Sequence, residues 1–220
     1  MEPLAKLIEH CARMYGRYNR LYVSHADRIV VMNLSIDKLQ DGIRKGIGHD
    51  VLASYVSDIM VVTFLCVDAY GVPFVEALSA KYPQSGCAYC GHQPCQCKGT
   101  RSPAEIQSPD AKQLQWSLEE WSRYFEKTYG PNNKKRGIHF VLLRLFGEVT
   151  ELAALQLPFA HHTRSMEKFE SEITFELCDI FSWAIAVAYV LDVDLAVAFY
   201  NQYGVTCPGC EKEECECTPH

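Results

Sequence analysis

The sequence predicts an all-α fold made of two tandem copies of one four-helix unit. Three observations carry this expectation. Apolar residues recur at helical spacing, as at Leu142, Leu145, Phe146, Val149 and Leu152. No long stretch alternates apolar and polar residues as a half-buried strand would. The residues from Asp58 to Tyr82 also align without a gap to those from Asp179 to Tyr203. Each stretch is followed by the same pattern, C-x2-C-x4-C-x-C, at Cys87–Cys97 and at Cys207–Cys217.

The first copy covers about 1–97, a linker about 98–112, and the second copy about 113–220. Met14–Asn19 resembles Thr128–Asn133, and Ser117-Leu118-Glu119-Glu120 is a capping-box pattern opening a helix toward Tyr129. A long apolar-periodic segment follows in each copy, around Ala26–Ile43 and Ile138–Leu157. The aligned stretches then read as a helix, a break and a second short helix. The breaks fall at Gly71-Val72-Pro73, where Pro73 suits a first turn, and at Asp192-Val193-Asp194, where Asp192 suits a cap. Val61–Val67 has the β-branching of a buried strand, but its counterpart Ser182–Ala188 is rich in alanine and favours helix. Between the copies, Lys98–Asp110 carries the Gly, Ser and Pro of a mobile connection.

The chain has 220 residues, 48% of them hydrophobic, and a formal charge of −6 at pH 7. Such a balance argues against nucleic-acid binding through a broad basic surface. The first ten residues mix acid and base with apolar side chains and show no cleavage site. The longest apolar run, Ile180–Leu191, is bounded by aspartates and falls below the ~20 residues of a membrane span. A cytoplasmic protein with no membrane partner is expected.

Eleven cysteines then need a reason. In a reducing compartment, tight clusters bind metal more often than they pair. Four thiolates per cluster suit one structural Zn²⁺ and leave no open position for catalysis, so Cys87, Cys90, Cys95 and Cys97, and Cys207, Cys210, Cys215 and Cys217, are expected to hold two zinc ions. A disulfide or redox use and an iron–sulfur cluster are the alternatives.

The second copy also has two acidic pairs, Glu148 with Glu151 and Glu176 with Asp179. Residues at i and i+3 share a helix face. Two such helices packed antiparallel bring four carboxylates together, and they repel unless a cation neutralises them. Carboxylate oxygens suit Mg²⁺ or Mn²⁺. The plainer reading is a solvated acidic face. A di-iron bundle would need Glu-x-x-His motifs, which neither pair supplies, and His161-His162 fall in an expected surface loop.

The residues R-G-I-H-F-V-L-L-R-L-F-G-E-V-T-E-L-A and E-L-C-D-I-F-S-W resemble the MazG-like, all-α nucleoside triphosphate pyrophosphohydrolases, whose signature is E-x-x-E, a spacer, then E-x-x-D. The resemblance covers about Leu118–Cys217, and the first copy more weakly. It implies a nucleoside triphosphate substrate cleaved between the α and β phosphates to a nucleoside monophosphate and pyrophosphate. It also implies Mg²⁺ or Mn²⁺ on Glu148, Glu151, Glu176 and Asp179 as the catalytic set. Gly147 departs from the pattern, because many members carry another Glu there. Glu172, one turn before Glu176, is either a supporting partner or a surface acid.

Lys134, Lys135 and Arg136 precede the first acidic helix, and Arg164 and Lys168 precede the second. Each is a candidate phosphate contact or a plain surface cation. Trp183 is a candidate base-stacking residue or a core residue. Asn201 falls where some members of the family place a substrate-contacting Asn or Lys.

The first copy has lost the acids. Asp58 matches Asp179, but Tyr55 matches Glu176. Glu148 and Glu151 match either Ser35 and Lys38 or Leu34 and Asp37. The expected arrangement is therefore a pseudo-dimer within one chain, with or without a further homodimer, having one active and one degenerate half. A non-catalytic nucleotide-binding or protein-interaction module on the same fold is the alternative.

Overall fold

The structure is a computed structural model that describes residues 2–97, 106–157 and 165–218. The histidines at 161 and 162, Arg164 and most of the linker lie outside the described residues. Among those described there are eight α-helices and no strand. The first four are α1 (Leu4–Tyr22), α2 (His25–Lys45), α3 (His49–Tyr70) and α4 (Phe74–Lys81). After a 3-10 turn at Gln113–Gln115 come α5 (Leu118–Arg136), α6 (Ile138–Leu155), α7 (Met166–Val190) and α8 (Leu195–Tyr203).

Local chemistry sets the ends. Ser24 with Asp27, and Ser117 with Glu120, form complete capping boxes at α2 and α5. Gly46 and Gly71 end α2 and α3 in the left-handed region, with φ of 65° and 63°. Asp192 takes that same role after α7, with φ 55°, and so is not the cap of α8. Asp194 is the cap: its carboxylate accepts from the Val197 N–H. Val61–Val67 is helical and buried, because the centre of the molecule surrounds it on every side. Pro131 lies inside α5 without ending it. Gly130 beside it lets the helix press on Tyr189, since a Cβ there would stand 2.7 Å from that ring. Phe146, expected on the inner stripe of α6, is instead 45% exposed.

Helices α3 and α7 form the centre. Each is long and apolar enough by composition to cross a membrane. The reason is burial inside the protein: α3 packs on α1, α2, α7 and α8, and α7 on α3, α4, α5 and α6. The short fourth helices are thus exchanged, α4 lying on α7 and α8 on α3. Phe64 meets Phe181 and Phe199 at ring separations of 6.2 and 5.5 Å, and Phe74 meets Phe181 at 5.6 Å. All four rings are essentially sealed from solvent. One shared core implies one cooperative unit. Phe181→Ala is expected to cost about 3–5 kcal/mol and to shift a single urea transition as a whole. Two separate transitions, with only the second moved, would mean the halves fold independently.

The exchange extends to the polar groups and the cysteine knuckles. Tyr82 and Lys81, from the end of α4, bond the Asp179 carboxylate on α7. Tyr203 and Gln202, from the end of α8, bond Asp58 on α3. The knuckle at Cys87–Cys97 sits on α5, where the Cys95 N–H donates to the Thr128 carbonyl at 2.7 Å. The knuckle at Cys207–Cys217 sits on α1, where the Cys215 N–H donates to the Met14 carbonyl at 2.7 Å. Thr128 and Met14 are the positions matched in sequence. Each knuckle therefore clasps the opposite half, which gives both clusters a reason to persist.

Candidate functional site: an acidic group beside an aromatic cleft

Glu148 and Glu151 stand one turn apart on α6, and Glu176 faces them from α7. Oxygens of the three approach within 4.8 Å of one another. Glu148 is buried, with 4% exposure, and its Oε1 accepts from Arg144 Nη2 at 2.7 Å. The Glu176 Oε2 atom is buried and has no hydrogen-bond partner. A buried, unpartnered carboxylate oxygen is costly, and a cation bound by the three carboxylates would satisfy it. The trio therefore fits a hard divalent ion.

The fourth acid differs. Asp179 lies one turn on from Glu176, but its Oδ2 accepts from Lys81 Nζ at 2.6 Å and its Oδ1 from the Tyr82 hydroxyl at 2.6 Å. The ammonium also reaches the Phe175 carbonyl at 3.4 Å. The structure thus brings together the four expected acids, three as a group able to hold an ion and the fourth tied to the other half of the chain. A side chain at Gly147 would meet no atom within 4 Å, so packing does not explain the missing acid.

Crowding shows in the protonation of the site. Burial, then the Asp179 charge, pushes Glu148 up to about 7, against the pull of Arg144. Burial, then the Glu151 charge, pushes Glu176 up to about 7 as well. Both groups sit near 4.5 when unperturbed. Between these values the folded chain binds more protons than the unfolded chain. Stability from these two groups is therefore full below about pH 4.5 and falls as pH rises toward 7. With zinc retained but no Mg²⁺ or Mn²⁺ added, the urea midpoint is expected to drop between pH 5.5 and 8. Either ion should restore it at pH 8 and do little at pH 5.5. Equal effects of the ion at both pH values would contradict this protonation pattern.

Beside Glu148 and Asp179 opens a cleft of about 360 Å³, a size usual for small-molecule sites. Tyr82, Phe125, Tyr129, Phe140, Trp183 and Tyr189 supply aromatic walls; Arg136, Arg144, Asn132 and Asn133 supply polar groups. Arg144 lies over the Trp183 ring at 5.5 Å and Arg136 over Phe140 at 4.8 Å. Of the expected substrate contacts, Trp183 and Arg136 line this cleft. Lys134 is outside the lining, paired with Asp192 at 2.6 Å. Lys135 is exposed and also outside it. Lys168 stands 3.9 Å from Glu172, which ties both to the outer end of α7. Asn201 is exposed on α8, next to the Gln202 that bonds Asp58, and so belongs to the first half's surroundings.

Sequence reading missed Lys81, Tyr82 and Arg144. Arg144 carries a readable signal, its i,i+4 spacing to Glu148. Lys81 and Tyr82 carry none locally, because they act across the halves.

Around Asp58 the counterpart is stripped. Ser35 is buried as Glu148 is, whereas Leu34 is 53% exposed, which settles the register as Ser35 and Lys38. The Lys38 charge favours ionised Asp58, although burial dominates and raises its pKa. Among the described residues no acidic group able to hold an ion forms there.

The eight clustered thiols are unpaired. Within each cluster the sulfurs lie within 4.8 Å of one another, with Cys87 and Cys97 at 3.8 Å and Cys207 and Cys217 at 4.0 Å. A disulfide needs about 2.05 Å. Four thiolates at about 2.3 Å from one tetrahedral ion stand about 3.8 Å apart. Both clusters therefore have the donor set and spacing to hold zinc. No protein-family model, no curated protein and no solved structure matches the chain.

Proposed function

We propose that the chain is an Mg²⁺-dependent nucleoside triphosphate pyrophosphohydrolase, with one active site in its C-terminal half. The reaction is cleavage of a (d)NTP to (d)NMP and pyrophosphate. The observation that carries this reading is the carboxylate trio, with its unpartnered oxygen, joined to an aromatic cleft through Glu148. The motif around these residues resembles the MazG-like enzymes, and the exchanged contacts suit a pseudo-dimer of two MazG-like units. The two cysteine clusters are read as structural Zn²⁺ sites, and eleven unpaired cysteines suit a reducing cytoplasm.

Roles follow from position. Glu148, Glu151 and Glu176, once deprotonated, would hold the divalent ion. Bound there, Mg²⁺ would neutralise phosphate charge and lower the pKa of a water at the α-phosphorus. Arg136 and Arg144 face the cleft as phosphate-neutralising groups, and Trp183 offers a face to the base. Lys81, held by Asp179, places the first half's positive charge beside the acids. It is a positioning group for Asp179 and a counter-charge for incoming phosphates.

The test is pyrophosphate release from a panel of dNTPs and NTPs with Mg²⁺ or Mn²⁺. Metal-dependent release of equimolar monophosphate and pyrophosphate is the expected result. The engagement of Asp179 by Lys81 and Tyr82, with the glycine at 147, favours a second reading, a nucleotide-binding module without catalysis. Metal-dependent nucleotide binding with no release from any member of the panel would establish that reading instead.

A further inference from the structure

The two knuckles share a backbone but differ in what they touch. The second docks mainly on Met14 and the tyrosines of α1. The first docks on the part of α5 that forms the cleft. The Ala88 N–H donates to the Tyr129 hydroxyl at 3.1 Å, Asn132 Nδ2 donates to the Cys95 carbonyl at 2.8 Å, and Gln93 Nε2 donates to Thr128 Oγ1 at 2.8 Å. Tyr129 and Asn132 are themselves cleft walls. The knuckle also sends its own side chain, Tyr89, into the lining; the matching position in the second knuckle is Gly209. Eleven residues with little apolar burial cannot hold this shape by packing, so the geometry of Tyr89 and its neighbours depends on the four-thiolate centre.

We infer that the first knuckle is a working wall of the substrate site: metal on Cys87, Cys90, Cys95 and Cys97 sets the cleft's affinity for a nucleotide, and Tyr89 on its rim selects ligands that carry a base. This rests on the nucleotide reading of the cleft but not on hydrolysis. Stacking on an aromatic ring is worth a few-fold to a hundredfold in affinity, independent of base identity. A ligand without a base gains nothing from it.

The experiment uses the full chain, a non-hydrolysable α,β-imido dNTP and inorganic triphosphate as probes, with Mg²⁺ present. Binding is measured by calorimetry, zinc by elemental analysis, and backbone protection by hydrogen exchange. Cys90→Ser is expected to lose one zinc, to speed exchange at residues 128–133 and to weaken the dNTP analogue by about tenfold. Cys210→Ser should also lose one zinc, but its faster exchange should fall at residues 14–18. Tyr89→Ala should keep both zincs and weaken the dNTP analogue by about five- to tenfold, with inorganic triphosphate unmoved. Equal weakening by Cys90→Ser and Cys210→Ser, or a Tyr89→Ala effect that treats both probes alike, would overturn the inference. A wild-type chain that binds neither probe would overturn it together with the nucleotide reading. Binding as expected, without pyrophosphate release from natural substrates, would leave it standing and remove hydrolysis alone.

Discussion

Glu176→Gln is expected to cut pyrophosphate release steeply and, in the same protein, to raise stability. The two effects have one cause. Glu176 places a buried, unpartnered oxygen against Glu148 and Glu151. Without a cation, burial first and then the neighbouring carboxylates, Asp179 for Glu148 and Glu151 for Glu176, push both groups up to about 7. The amide removes a charge and leaves the shape. At pH 8, without Mg²⁺ or Mn²⁺, the variant should gain about 1 kcal/mol, or roughly 2–4 °C in Tm for a chain of this size. It should lose most of the further stabilisation that either ion gives the wild type. Its rate should fall by about 10²–10³-fold or more, the scale of removing one preorganised charge-stabilising group. Glu151→Gln should behave alike in rate, with a smaller gain in stability because Glu151 is exposed. A variant that loses stability together with activity would instead make Glu176 a structural residue.

The opposed signs matter because acids near a core have an ordinary explanation in packing or salt bridging. A carboxylate kept for structure stabilises the fold. A carboxylate kept for a cation destabilises the empty fold. Arg144 compensates part of this cost at Glu148 through its 2.7 Å bond, and Lys81 does the same at Asp179. The Glu176 oxygen has no such partner, which is why it gives the clearest test.

What was legible in the sequence was whatever is local. Capping boxes at Ser24 and Ser117, helical spacing through α6 and the gapless match of Asp58–Tyr82 to Asp179–Tyr203 all report on neighbours within one helix or one hairpin. The four acids were legible for the same reason, since i,i+3 spacing fixes a shared face. Lys81 and Tyr82 were not, although the alignment already set them against Gln202 and Tyr203. A repeat match says that two segments are alike; it does not say which partner each one touches. The exchange of α4 and α8 sends the end of each repeat to the other's aspartate, so the residues beside Asp179 come from the end of α4, and Asn201 lies next to the Gln202 that bonds Asp58 instead. Composition likewise suggests a cap at Asp192, whereas the left-handed turn it shares with Gly71 only emerges from the backbone.

That exchange makes the second large effect a matter of geometry. Residues 113–220 produced alone are expected to be inactive as a monomer, even though they contain all four acids. Three things are removed at once. Asp179 loses Lys81 and Tyr82, α7 loses the apolar cover of α3 and α4, and α5 loses the knuckle that holds Thr128, Tyr129 and Asn132. The exposed surface includes Phe181 and Phe199, sealed in the full chain, so the half-chain should aggregate or self-associate. A symmetric dimer of it would bring Tyr203 to the other copy's Asp179, as Tyr82 does now, but Gln202 would stand where Lys81 stands. The ammonium would be missing. Lys81→Gln in the full chain isolates that one difference, and it should keep the fold while lowering the rate by about tenfold or more. Adding residues 1–112 to the half-chain should restore activity. Light scattering with pyrophosphate release decides the matter: a monomeric half-chain at full rate would show that the first half contributes nothing to the site.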